Sequence, residues 1–307
     1  MSRGVHRFAL IVAGATFFLI LAGAKVTSHD AGLATYDWPL SNGQVFPEMV
    51  GNLYWEHGHR MIATVVGMLT IALAVYVQIR EKRTWVKRLG WLALGGVIAQ
   101  GLLGGLTVKL NLPLAVSTAH ATLAQLFFLT TVSLAVFTSP GWASQDTSVC
   151  EEGAGVSVRT MGVVTLALIL AQLVLGATLR HSATWDQFLP SGLLVAHIAG
   201  AVIVSGALFV TVLTVLRRHP DSKFLTRPAY IALGLLIVQL LLGLTAYITR
   251  SASPFGAQPL NPMITITVAH VACGALVFAA TIVLTLRAFR VLRTDRQRQD
   301  VAVLAPA

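Results

Sequence analysis

The sequence predicts an all-α integral membrane protein: eight transmembrane helices forming two tandem four-helix bundles, related by a pseudo-two-fold axis along the membrane normal. Three observations predict it, namely the composition, the spacing of apolar segments and an internal repeat. Of 307 residues, 55% are hydrophobic and only 11% charged, and the mean hydropathy is +0.75, whereas soluble domains carry about 25% charged residues. A soluble globular fold is excluded. The two cysteines, Cys150 and Cys273, supply neither a disulfide framework nor a structural zinc site, both of which need more sulfur or a tight Cys/His spacing.

Taken in order, the apolar segments run from Phe8 to Thr27, Glu56 to Ile79, Leu89 to Val108, Ala115 to Phe137, Thr160 to Leu179, Leu193 to Leu216, Pro228 to Thr249 and Met263 to Leu286. Each has roughly the 20 residues a helix needs to cross a hydrocarbon core of about 30 Å. The first is too long for a signal peptide and lacks its small-residue cleavage site, so it is expected to be a retained helix.

Lys and Arg number 22 against 12 Asp and Glu, a net charge of +10 that would suggest a nucleic-acid partner in a soluble protein. Their placement points elsewhere. With the N-terminus inside, 17 of the 22 fall on the cytoplasmic side, from Arg3 and Arg7 through Arg80 to Arg88, Arg159, Arg217 to Arg227 and Arg287 to Arg298, as the positive-inside rule requires. The basic balance is a topology signal and nucleic acid drops out. The other five, Lys25, Arg60, Lys109, Arg180 and Arg250, fall at the outer ends of helices.

The repeat pairs Gln100-Gly-Leu-Leu-Gly104 with Gln239-Leu-Leu-Leu-Gly243, and Ala119-His120 with Ala269-His270. His59 to Gln100 is 41 residues and His197 to Gln239 is 42. Gln100 to His120 is 20 and Gln239 to His270 is 31, the excess lying in the loop from Arg250 to Pro262. Two halves are therefore expected, over 1–137 and 159–290, with a cytoplasmic linker at 138–158 and a cytoplasmic tail at 291–307. An even number of helices per half gives both the same orientation.

His59, His120, His197 and His270 each lie a few residues inside the outer end of an even-numbered helix. Ionisable side chains inside a membrane are rare and usually face a functional interior. One such histidine reads equally well as a hydrogen-bonded core residue; four at matching positions favour a site. Two imidazoles on helices of one bundle ligate a haem iron from opposite faces, whereas zinc would need its ligands clustered. Gly104, Gly105, Gly176, Gly200 and Gly243 either admit a flat macrocycle or serve close helix packing. The five outer basic residues either snorkel to headgroups or pair with haem propionates.

The ordered set of motifs resembles the haem A synthase family. It comprises Asp37-Trp38-Pro39-Leu40, Phe46-Pro47-Glu48, Glu56-His57-Gly58-His59-Arg60, Gln100 to Val108, the Ala-His openings of helices 4 and 8, and Gly176-Ala-Thr-Leu-Arg-His181. The match runs from Val26 to about Leu286. The resemblance implies that His59 and His120 frame a substrate haem, that His197 and His270 ligate a haem b cofactor, and that haem O is oxidised at its C8 methyl group through an alcohol to the formyl group of haem A. It implies a multi-pass protein of the bacterial plasma (inner) membrane with both termini cytoplasmic, and a farnesyltransferase making haem O as a candidate partner. It names no electron acceptor, and an oligomer is compatible with it. Glu56 is the family's helix 2 glutamate, suited by type to general acid or base work, or to a favourable place at a helix N-terminus.

Two departures stand out. Many bacterial members carry cysteine pairs in the first and third outer loops, whereas this chain has Ser41 after Leu40 and no cysteine from Arg180 to Gly192. His57, an accessory candidate two residues from His59, is expected on a different helix face. Competing functions are a two-haem cytochrome that only passes electrons, and a transporter, which would typically show discontinuous helices near the midplane.

Overall fold

The computed structural model describes residues 3–144, 150–151, 155–182, 191–251 and 261–293. Eight helices among them are long and apolar enough to span a membrane: α1 (Arg3–Ser28), α2 (Asn52–Arg80), α3 (Thr84–Lys109), α4 (Leu114–Thr138), α5 (Val158–Ser182), α6 (Ser191–Arg218), α7 (Lys223–Ser251) and α8 (Asn261–Val291). The protein is a multi-pass membrane protein. Each helix outruns its apolar segment by a few residues, and the added turns carry Arg80, Lys109, Arg217, Arg218, Arg250 and Arg290. Long basic side chains let a helix continue past the hydrocarbon edge, which is why hydropathy alone ends it early.

The first four helices close a ring in which α1 packs on α2, α2 on α3, α3 on α4 and α4 on α1. The last four close the same ring, with α5 on α6, α6 on α7, α7 on α8 and α8 on α5. The expected halves thus have the same helix neighbours. They meet where α4 packs on α5 and α8 and where α1 packs on α8. One apolar cluster, around Val12, Val66, Leu73, Phe127 and Leu134, belongs to the first four helices; the other is centred on α8 and draws in Ile20, Phe128 and Leu129 from α1 and α4. Much of the remaining helix surface is apolar and exposed, including Phe18, Met68, Ile79, Val202 and Leu241, as a lipid-facing surface must be.

Several buried threonines satisfy their hydroxyls within the bundle. Thr16, Thr70, Thr138, Thr281 and Thr285 each donate to the carbonyl four residues back at 2.7–2.8 Å, and Thr165 and Thr211 pair at 3.0 Å between α5 and α6. Among the described residues the only strand pairing is a two-residue parallel ladder of Cys150–Glu151 on Leu292–Arg293. It ties the stretch between the halves to the end of α8; the rest of the tail lies outside the described residues.

The turn from α2 to α3 is held by Glu81. Its carboxylate accepts from Arg83 Nη2 at 2.7 Å and Nε at 3.1 Å and from the backbone N–H of Lys82 and Arg83, while Arg83 Nη2 also donates to the carbonyl of Phe137 at 2.8 Å. The hydrogen bonds to Arg83 are the main cause pulling the Glu81 carboxyl down from 4.5 to about 2. A depressed folded value gives stability that is present above the unfolded value and lost as pH falls through the folded one. The stability gap between wild type and Glu81→Gln should therefore be present at neutral pH and close between pH 4.5 and about 2, read by thermal unfolding in detergent. A gap that stays constant over that range would contradict it.

Candidate functional site: two histidine pairs and a capping loop

In each ring the even-numbered helices stand diagonally opposite one another. His59 and His120 therefore project from opposite corners of the first ring, and His197 and His270 from opposite corners of the second. All four lie six to nine residues into their helices, about 9–14 Å from the helix start at 1.5 Å per residue. Within each pair the imidazoles are near enough to feel each other's charge. His181, at the end of α5, is also within electrostatic reach of His120 across the boundary between the halves, a neighbour that spacing along the chain does not reveal.

Every one of these rings rests on a glycine of the preceding odd-numbered helix. A Cβ built on Gly23 would lie 3.1 Å from His59 Cε1, one on Gly104 3.1 Å from His120, one on Gly176 2.9 Å from His197, and one on Gly243 3.0 Å from His270. These distances are shorter than ordinary carbon contacts, so a side chain there would displace the ring. The glycines weighed above as room for a macrocycle thus receive protein side chains in this structure: imidazoles at Gly104, Gly176 and Gly243, the Trp38 indole at Gly105 and the Gln172 amide at Gly200. Gly23 was not among them, because the glutamine that precedes Gly104, Gly176 and Gly243 by four residues is replaced in α1 by Leu19.

Three glutamines hold three of the rings. Gln100 Nε2 donates to the carbonyl of His120 at 3.0 Å and lies 3.3 Å from its Nε2. Gln172 Nε2 donates to the carbonyl of His197 at 2.8 Å and lies 3.1 Å from its Nδ1. Gln239 Nε2 lies 3.2 Å from His270 Nε2. Among the described residues, Nδ1 of His59, His120 and His270 is buried with no hydrogen-bond partner. An orphaned buried imidazole nitrogen at matching places in both halves fits a metal-binding group, because a membrane interior offers it no water.

The other site candidates hold the loop over 29–51 against the first half. Glu56 is 4% exposed, accepts the backbone N–H of Thr35 at 3.1 Å and pairs with Arg60. Arg60 also donates to the carbonyls of Asp37 at 3.0 Å and Leu40 at 2.7 Å and to the Ser41 hydroxyl at 3.2 Å. His57 is buried with Nδ1 2.9 Å from Ser41 Oγ, so it serves the loop and leaves the His59 face, as its position on the helix requires. Ser41, where relatives were expected to differ by a cysteine, is thus itself an anchor of the loop. Within the loop, the Gly43 and Asn42 N–H groups at 2.7 and 2.9 Å and the Thr35 hydroxyl hold the Asp37 carboxyl well below the usual carboxylate range. His29 stacks on Trp55 at 4.1 Å, and partial burial with Lys25 nearby lowers its tendency to protonate.

The remaining basic candidates gather at the same end. Lys25 Nζ sits 5.2 Å over Trp55, Lys109 Nζ donates to the Tyr36 carbonyl at 3.4 Å, and Arg180 donates to Ser28 Oγ at 3.1 Å. Arg180 is within electrostatic reach of Arg250 and of Asp30.

Trp38 is the tightest contact of the loop: a Cβ on Gly105 would lie 2.6 Å from its Cδ2 and 2.7 Å from its Cε2. Gly105→Ala should therefore push the indole out and loosen the loop, at about 1–3 kcal/mol for an overpacked contact. A lowered melting temperature with faster proteolysis inside 29–51 is expected. An unchanged melting temperature would mean the contact yields without cost.

An eight-helix membrane protein with one diagonal histidine pair in each of two like bundles belongs to the class that can hold haem inside a membrane. A family model described as cytochrome oxidase assembly protein, COX15-CtaA, matches residues 48–190, from the capping loop through α5. Curated relatives named heme A synthase include that of Bacillus licheniformis, 22% identical over 272 residues, 81% of this chain and 88% of the relative. That of Shouchella clausii is 26% identical over 82% of this chain and 90% of the relative. That of Symbiobacterium thermophilum is 30% identical over 53% of this chain and 54% of the relative. Over more than four fifths of its length the chain is thus similar to proteins named heme A synthase.

Proposed function

We propose that the protein is a haem A synthase, an oxidoreductase that takes the C8 methyl group of haem O through an alcohol to the formyl group of haem A. The observation that carries this is the duplicated histidine pair in a chain similar to proteins of that name. The first half, 1–137, is the substrate half, where His59 and His120 would address haem O; the second, 159–290, is the cofactor half, where His197 and His270 would hold haem b. The residues 138–158 link the halves and 291–307 form a tail, both on the cytoplasmic side of a bacterial inner membrane.

Haem b, when bound, supplies a one-electron relay away from the substrate. The chain's own residues do the rest. The four imidazoles bind and orient. Glu56, one turn from His59, takes the protons released, directly or through water, as the methyl group with one water becomes a formyl group, four protons and four electrons, the electrons passing to an external acceptor. The loop over 29–51, anchored by Glu56, His57, Arg60 and Ser41, screens the first half from water. Lys25, Arg60, Lys109, Arg180 and Arg250 are the propionate partners; an anion between Arg180 and Arg250 would relieve their mutual repulsion. A farnesyltransferase that makes haem O is the proposed partner for delivery.

Co-expression with such a transferase in cells lacking haem A, followed by pigment extraction from membranes and mass spectrometry, tests the proposal. Haem A or hydroxylated haem O is expected. Haem B alone, with abundant protein, would instead make it a cytochrome.

A further inference from the structure

The four odd-numbered helices carry one pattern four residues before the glycine that seats each histidine. In α3, α5 and α7 that position is Gln100, Gln172 and Gln239; in α1, four residues before Gly23, it is Leu19, apolar and buried. The unit of repetition at the site is therefore one helix hairpin, an x-x-x-x-Gly helix followed by a histidine helix, and three of the four hairpins add an amide. Gln172 and Gln239 have room because Gly200 and Gly274 lie beside their amides.

A neutral imidazole that gives one ring nitrogen to iron keeps its proton on the other. That N–H needs an acceptor, which fixes ring orientation and raises the basicity of the ligand. In this structure each amide turns Nε2 to its ring at 3.1–3.3 Å, and Oε1 of Gln100, Gln172 and Gln239 is buried with no partner among the described residues, so a half-turn of the amide presents an acceptor to a ring N–H. Nδ1 of His59 is buried and without a partner among the same residues, and the aligned position on α1 offers only the Leu19 hydrocarbon.

Resting on the assignment of these histidines to haem, we infer that Gln100, Gln172 and Gln239 are positioning residues that lock His120, His197 and His270, and that Leu19 leaves His59 the single exchangeable ligand. The cofactor half is then locked on both faces. The substrate half is locked on one face and releasable on the other, as a site that must admit one haem and discharge another requires.

The test uses the full-length protein loaded with haem, reading midpoint potential and the rate of haem transfer to apomyoglobin. Gln172→Leu and Gln239→Leu should each keep a low-spin haem, raise its potential and speed haem loss about tenfold. Gln239→Glu, which retains an acceptor, should restore the slow rate. In a His270→Ala background, where only the first pair holds haem, Leu19→Gln should slow haem loss by about the same factor. Because the two glutamines are tested separately, a folding failure at one leaves the other decisive. Parental potentials and loss rates in both Leu variants, with His270→Ala having lost the haem of the second half alone, would overturn the inference while leaving the haem assignment standing. Haem content and spectrum identical to the parent in His270→Ala would overturn both.

Discussion

His197→Ala or His270→Ala should abolish the low-spin haem b spectrum of the purified protein, while His59→Ala and His120→Ala should leave that spectrum in place. Low-spin iron needs two strong axial ligands, and neither ring can occupy both faces. The two imidazoles project from diagonal helices and each rests on a glycine, which offers no side chain of its own. Loss should be close to complete in either variant. The check is the reduced-minus-oxidised spectrum at equal protein, with size-exclusion profiles to confirm folding. An unchanged spectrum in His270→Ala would remove haem b from the second half, and the same variant would then have to be examined for haem held by His59 and His120.

How far the sequence led can be judged at particular residues. The eight spans were legible because lipid demands long apolar runs, and only their ends were misjudged, where Arg80, Arg218 and Arg250 continue the helices. The four histidines were legible because each breaks an apolar run at the same place in the repeat. Their seats were not. Gly23 and Gln172 stand out only once α1 is known to face α2 and α5 to face α6, since the Gln-to-His spacing varies with loop length: 20 residues for Gln100, 25 for Gln172 and 31 for Gln239. Spacing along the chain cannot align contacts made across loops of unequal length. The work of Glu56, His57 and Arg60 was hidden for a different reason. It depends on the path of the loop over 29–51, which places the Thr35 N–H, the Ser41 hydroxyl and the Leu40 carbonyl against one turn of α2. No periodicity encodes such a path.

That double duty sharpens the expectation for Glu56, where anchoring and proton transfer predict different results. Glu56→Gln should leave haem b at His197 and His270 undisturbed, yet lower haem A yield by about a hundredfold or more, the range for loss of a general base. Haem O or its alcohol should accumulate instead. Glutamine keeps the size of the side chain and an acceptor for the Thr35 N–H, but it removes the ion pair with Arg60 and the capacity to take a proton. If Glu56 only anchors the loop, Arg60→Gln should reproduce the loss, because Arg60 makes more of the loop contacts, to Asp37, Leu40 and Ser41. If Glu56 moves protons, Arg60→Gln should weaken the loop, seen as faster proteolysis within 29–51, but retain far more turnover than Glu56→Gln. Equal losses of haem A in the two variants would assign Glu56 to the loop alone. Wild-type yield from Glu56→Gln would reject both roles and turn attention to His57, whose Nε2 is buried without a partner among the described residues.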